Sequence, residues 1–181
     1  MATYGVFEST NMKSTKGAVR IFDAISTVDI ENGTFGYLNG LATGESVVYN
    51  FAKGTSAGKK IVVVDNPAWT EDESLRSKQR KDQYIIPAGT KFRVRVVAFD
   101  DEFAINKICV TTATQAALLV GAYLTIDATT GKLVAAATAA STPAFEATVM
   151  RKHVQGATLV TSANTYGYST ELFEAKVTTL A

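Results

Sequence analysis

The side chains able to do chemistry in this 181-residue chain are few: one histidine, one cysteine and two short runs of acids. His153 lies in Arg151-Lys152-His153-Val154 with no cysteine or second histidine at ligand spacing, so a zinc site would need carboxylates around a single imidazole. A solvated or strand-end histidine accounts for it more simply. A serine or cysteine nucleophile would have to recruit the same histidine, and no Gly-x-Ser-x-Gly elbow occurs. Asp100-Asp101-Glu102 and Glu71-Asp72-Glu73 hold the adjacent carboxylates that glycoside hydrolysis or calcium binding uses. As turn and helix-cap residues, both are already explained. Gly54-Thr55-Ser56-Ala57-Gly58-Lys59-Lys60 resembles a phosphate-binding loop, but it is one residue short between its glycines and has Lys60 where a hydroxyl is required. A strand also follows where a helix N-terminus is needed. The expectation is a protein without catalysis, metal or cofactor.

The totals narrow the partners. With 18 basic and 17 acidic residues there is no electrostatic footprint for nucleic acid, and recognition must rest on shape and apolar contact. No apolar run approaches the ~18 residues of a membrane span, and Met1-Ala2-Thr3-Tyr4-Gly5 lacks the features of a secretory signal, so a soluble product of a cytoplasm is expected. The lone Cys109, between Ile108 and Val110, excludes an internal disulfide and reads as a small buried hydrophobe. Asn32-Gly33-Thr34 fits a glycosylation sequon but is read as a turn.

The elements are those of an all-β chain. Pro87-Ala88-Gly89 leads into a strand over 91–99 in which Phe92, Val94 and Val96 share one face and Lys91, Arg93 and Arg95 the other; Asp100-Asp101-Glu102 then turns the chain into a strand over 103–110. The basic face is expected either in solvent or against acids of the preceding segment. Residues 18–30 fit a strand or a short helix. Asn32-Gly33 and Asn39-Gly40 signal tight turns, Val47, Tyr49 and Phe51 alternate, and Ile61-Val62-Val63-Val64 belongs inside a sheet. Half of residues 65–82 are charged, around the single Trp69, and fit a solvated loop slightly better than a helix.

Residues 111–148 hold twelve Ala and nine Thr, and Asp127-Ala128-Thr129-Thr130-Gly131 separates 121–126 from 132–134 as a hairpin. Three further strands are expected around 145–150, 158–160 and 173–177, punctuated by Gly156, Asn164 and Gly167. Three stretches, Ile30 to Phe35, Ile86 to Phe92 and Leu119 to Tyr123, each run from an aliphatic residue through glycine to an aromatic strand entry at irregular spacing, a repeated turn solution and not a repeat array. The fold expected is a compact β-barrel or sandwich of short antiparallel strands. Residues 1–17 form an extended N-terminal arm, 18–110 a β-rich core, and 111–181 an Ala/Thr-rich region that completes the same domain or makes a small second one. Tyr4, Val6 and Phe7 place three large side chains in an otherwise polar arm, which suits docking on a partner.

The cadence of an N-terminal arm, Ile30-Glu31-Asn32-Gly33, a charged insertion, Ile86-Pro87-Ala88-Gly89 with its strand, the Asp100-Asp101-Glu102-Phe103 turn and an Ala/Thr-rich hairpin resembles the small decoration, or cement, proteins of tailed-phage heads. The resemblance spans most of the chain and rests on turn-and-strand rhythm. It implies a virion structural protein, made in the host cytoplasm, that binds the outside of an assembled capsid. The partner implied is the major capsid protein, with self-association as a homo-oligomer such as a trimer. Tyr4, Val6 and Phe7 would then be the anchors of an arm that adds a strand to the capsid lattice. The competing expectation is a carbohydrate or surface-binding module of a head-fibre or tail protein, presenting Trp69, Tyr166 and Tyr168.

Overall fold

The computed structural model describes residues 4–16, 21–68, 80–160 and 165–181, with side chains described for all of these except 15–16, 157–160 and 165–168. In chain order the strands are β1 (Phe7–Asn11), β2 (Ile21–Ile25), β3 (Phe35–Leu41), β4 (Val48–Lys53), β5 (Ile61–Val64), β6 (Lys91–Val96), β7 (Glu102–Ile105), β8 (Tyr123–Ile126), β9 (Leu133–Ala136), β10 (Phe145–Val160) and β11 (Thr165–Leu180). They make two layers. One is a closed barrel in the order β2-β4-β3-β5-β6, and the other a sheet in the order β1-β7-β11-β10-β8-β9. The compact all-β architecture expected from the strand patterns is the one observed.

Alternation on β6 decides where the barrel core lies. Phe92, Val94 and Val96 point inward and pack with Ala24, Phe51, Val62 and Val64, Phe51 meeting Phe92 edge-on at 5.6 Å. β2 closes the ring by pairing antiparallel with β6 and parallel with β4, so the described part of 18–30, from Ile21 on, contributes a strand and not a helix. All four residues of β5 are buried because its two faces serve two cores. Val62 and Val64 fill the barrel, while Ile61 and Val63 face the second layer.

That second core is built on phenylalanines: Phe35 lies 5.7 Å from Phe103 and 5.3 Å from Phe145, and Phe7 stacks on Phe103 at 5.6 Å. Phe173, Leu124 and Leu133 complete it. Sheet membership cuts across the segments read from sequence, since β1 and β7 stand beside the strands of 111–181 and one apolar cluster joins them to barrel residues.

The three glycine turns are one device. Gly33, Gly89 and Gly121 have φ of 78°, 74° and 88°, each two residues ahead of β3, β6 or β8. Only glycine adopts this conformation without a steric cost, so the same residue recurs wherever the chain must swing into a strand. The Asp127–Gly131 hairpin also forms as expected, with the Asp127 carboxylate accepting the Thr129 and Thr130 N–H groups at 3.1 and 2.6 Å.

Four expectations are corrected. The stretch from Tyr4 to Lys16 is not an extended arm: β1 is an edge strand paired with β7, because Phe7 gains more from the phenylalanine core than from water. Asn39-Gly40 makes no hairpin; it lies inside β3 at an irregularity opposite β4, and the chain turns instead at Thr43-Gly44, where Gly44 has φ of 79°. The strand starting at Lys91 stops at Val96 and the next spans only Glu102–Ile105, with a short 3-10 turn at Lys107–Cys109. The expected strands near 145–150 and 158–160 are one continuous β10, and 173–177 lies within an equally long β11. Gly156, with φ of 85°, sits within the ladder without ending it. The choice between loop and helix at 65–82 falls mostly on 69–79, outside the described residues.

Candidate interaction surface

β10 and β11 each run sixteen residues, far longer than their neighbours. β8 reaches β10 only at Ala147 and Thr148, and β7 reaches β11 only from Phe173 to Lys176. Beyond these contacts the two strands pair solely with each other, from His153↔Leu172 to Val160↔Thr165. At about 3.3 Å per residue this makes a two-stranded ribbon roughly 25 Å long.

The base of the ribbon is held by a bulge and by charge. Val149 pairs with Ala175 and Arg151 with Glu174, leaving Met150 as the extra residue of the bulge, more than half exposed. Arg151 and His153 both reach Glu174, at 2.5 and 3.4 Å, while Lys152 pairs with Glu171 at 2.7 Å and lies 5.6 Å from the centre of the Phe173 ring. The Glu174 carboxylate raises the Arg151 pKa, and the hydrogen bond from Lys152 lowers that of Glu171. Val154, one step outward, is 58% exposed.

The inner end of the ribbon is covered on one face, where Leu172, fully buried, packs with Val6 and Ala104 and Thr170 is buried beside it; farther out a two-stranded ribbon is marginally stable in water, because its edges are unpaired. What this arrangement offers chemically is adhesion: two open edges, exposed apolar side chains and a fixed take-off angle. Leu119 and Val120, both at least 60% exposed, extend the apolar surface at its foot, since Gly121 N–H donates to Val149 O at 2.8 Å.

The residues singled out from sequence fall elsewhere. Val6 is 1% exposed and Phe7 4%, both inside the chain's own cores, and Tyr4 is half-buried with its N–H on Asp82 O at 3.0 Å. In this fold the side chains of Val6 and Phe7 are already spent on internal packing. Trp69 lies outside the described residues, as do the side chains of Tyr166 and Tyr168. His153 lies on the ribbon with Nδ1 3.4 Å from a Glu174 carboxylate oxygen, and among the described residues no three His, Cys, Asp or Glu side chains gather as a metal would require.

Asp101 is fully buried and spends its carboxylate on the N–H groups of Lys13 and Ala98, both at 2.8 Å, while Asp100 pairs with Lys176 at 2.6 Å, which holds the Asp100 pKa low. This triplet is a turn. The Gly54–Lys60 stretch joins β4 to β5 with no helix, and Lys59 donates to Asn39 Oδ1 at 2.9 Å. Asn32 is buried and exchanges hydrogen bonds with the Asn66 backbone, so the sequon is a structural turn. Burial pushes the Cys109 thiol up to about 12, which leaves it unreactive. Sequence reasoning missed the ribbon because Gly156 reads as a strand break; the alternation Val154, Gly156 gave no sign of continuing pairing.

The chain matches no family model, no curated protein and no solved structure.

Proposed function

We propose that this protein is a structural component of a tailed-phage virion, a decoration protein that binds the outer surface of the assembled capsid through the β10–β11 ribbon and performs no catalysis. The observation that carries the reading is the ribbon itself, anchored to the body at Leu172 and paired only across its two strands farther out, with Met150 and Val154 exposed. Such an element is stabilised when a partner covers its face or continues its edge. The major capsid protein is the partner the strand-and-turn resemblance suggests, and a repeating lattice lets many weak contacts act together. The interaction moves from the first residues to the ribbon, because Val6 and Phe7 are engaged within the fold.

The test is a variant lacking residues 155–170, with Val154 and Glu171 joined through Asn-Gly, a turn suited to antiparallel strands. Folding is checked by circular dichroism and binding by co-sedimentation with purified heads. Loss of co-sedimentation by the folded variant is expected. A folded variant that sediments with heads as the intact protein does, or an intact protein that never does, overturns the reading.

A further inference from the structure

A polar recess of about 390 Å³ lies where β1, β6 and the segment after β5 meet, walled by Glu8, Asp65, Lys81, Arg93 and Arg95. Three cations face two carboxylates there, leaving one positive charge in excess. Lys81 and Glu8 pair across the mouth at 2.5 Å.

The two arginines share one carboxylate unequally. Arg95 donates through Nε to Asp65 Oδ2, while Arg93 donates through Nε to the Asp65 carbonyl at 2.9 Å and holds its Nη2 at 3.9 Å from Oδ2, beyond hydrogen-bond reach. Arg95 is 8% exposed, and its Nη1 is buried with no acceptor among the described residues. The side chain of Arg93 is about one-third exposed beside it. A buried guanidinium N–H without an acceptor is unfavourable, and a planar guanidinium is matched by the two oxygens of a carboxylate.

We propose that this recess is a binding site for a single carboxylate, held by the outer nitrogens of Arg93 with Lys81 at its edge and the buried Arg95 guanidinium behind it. One carboxylate cancels the excess charge. A phosphate carrying two would leave the recess negative. The ligand is either a free carboxylic acid or an acidic side chain of a protein, and the inference stands apart from capsid binding.

The test is a titration of the ¹⁵N-labelled full chain with acetate, with the blocked peptide acetyl-Gly-Glu-Gly-amide, and with phosphate and chloride at matched ionic strength, following the arginine Nε–H resonances. Acetate should shift the Arg93 signal saturably, while chloride and phosphate should not. Arg93→Gln, with backbone resonances otherwise unchanged, should weaken acetate binding by about tenfold, the scale of a lost charge-assisted hydrogen bond. Lys81→Gln, at an exposed position, should weaken it roughly threefold. Tighter binding of the peptide than of acetate assigns the site to a protein side chain, and equal or weaker binding assigns it to a free acid. No saturable shift with either carboxylate, an equal response to chloride, or unchanged affinity in both folded variants overturns the proposal.

Discussion

Asn106 grips Val6 at both ends of its backbone: the Asn106 side-chain oxygen accepts the Val6 N–H at 3.1 Å, and the Asn106 N–H donates to the Val6 carbonyl at 3.2 Å. The amide nitrogen of the same side chain donates to Tyr4 O at 3.0 Å. A residue one hundred positions away thus seats the first strand. Asn106→Ala leaves the Val6 N–H and the Tyr4 carbonyl without these partners and should cost about 2–4 kcal/mol. Urea unfolding should show a lower midpoint with an unchanged slope, and a midpoint equal to that of the parent protein would remove the clamp from the account.

Gly33 and Cys109 test the packing of the same corner. A Cβ on Gly33 would fall 2.6 Å from Cys109 Sγ, at a φ of 78° that L-residues rarely adopt. Gly33→Ala should destabilise by about 2–4 kcal/mol through clash and backbone strain together. Adding Cys109→Ala relieves the clash alone, so the double variant should be less destabilised than the sum of the singles by about 1 kcal/mol. Strict additivity in the mutant cycle would place the whole cost in the backbone.

Cys109 also makes stability pH-dependent on the alkaline side. Burial, reinforced by the charge of Glu31, raises the thiol from 9.0 to about 12 in the fold. The unfolded chain ionises first, so this contribution is complete below pH 9.0 and is lost as the pH climbs toward about 12. Relative to Cys109→Ala, the parent protein should lose about 1.4 kcal/mol of stability per pH unit in that window. Parallel denaturation curves for the two proteins from neutral pH upward would contradict the burial of this group.

Ribbon and body should differ in local stability. The amides of 154–156, paired only across the ribbon, should exchange with solvent orders of magnitude faster than those of 145–149, which sit in the covered part of β10. Hydrogen exchange measured by NMR checks this, and partner binding should slow the ribbon amides selectively. Equal protection along β10 would mean that the ribbon is covered within the chain itself.

Much of this protein was legible from residue order alone, for a local reason. Alternation in 91–96, the β-branched run 61–64 and the Asp127–Gly131 turn act over a few residues, and each behaves in the fold as its pattern implies. The three positive-φ glycines follow from a steric rule that needs no tertiary context.

What residue order left open depends on contacts between distant positions. Val6 and Phe7 read as exposed anchors until Asn106, Phe35 and Phe103 converge on them, and no local pattern encodes that convergence. Gly156 signals a break by propensity, yet cross-strand pairing to Ser169 carries β10 through it. Arg93 and Arg95 were visible as a basic face, but only the approach of Asp65 and β1 turned that face into the wall of a recess. The all-β class, the turns and the strand faces were set by sequence; which edge β1 occupies, how far the ribbon projects and which carboxylate the two arginines share were decided by long-range packing, because burial and pairing belong to both partners at once.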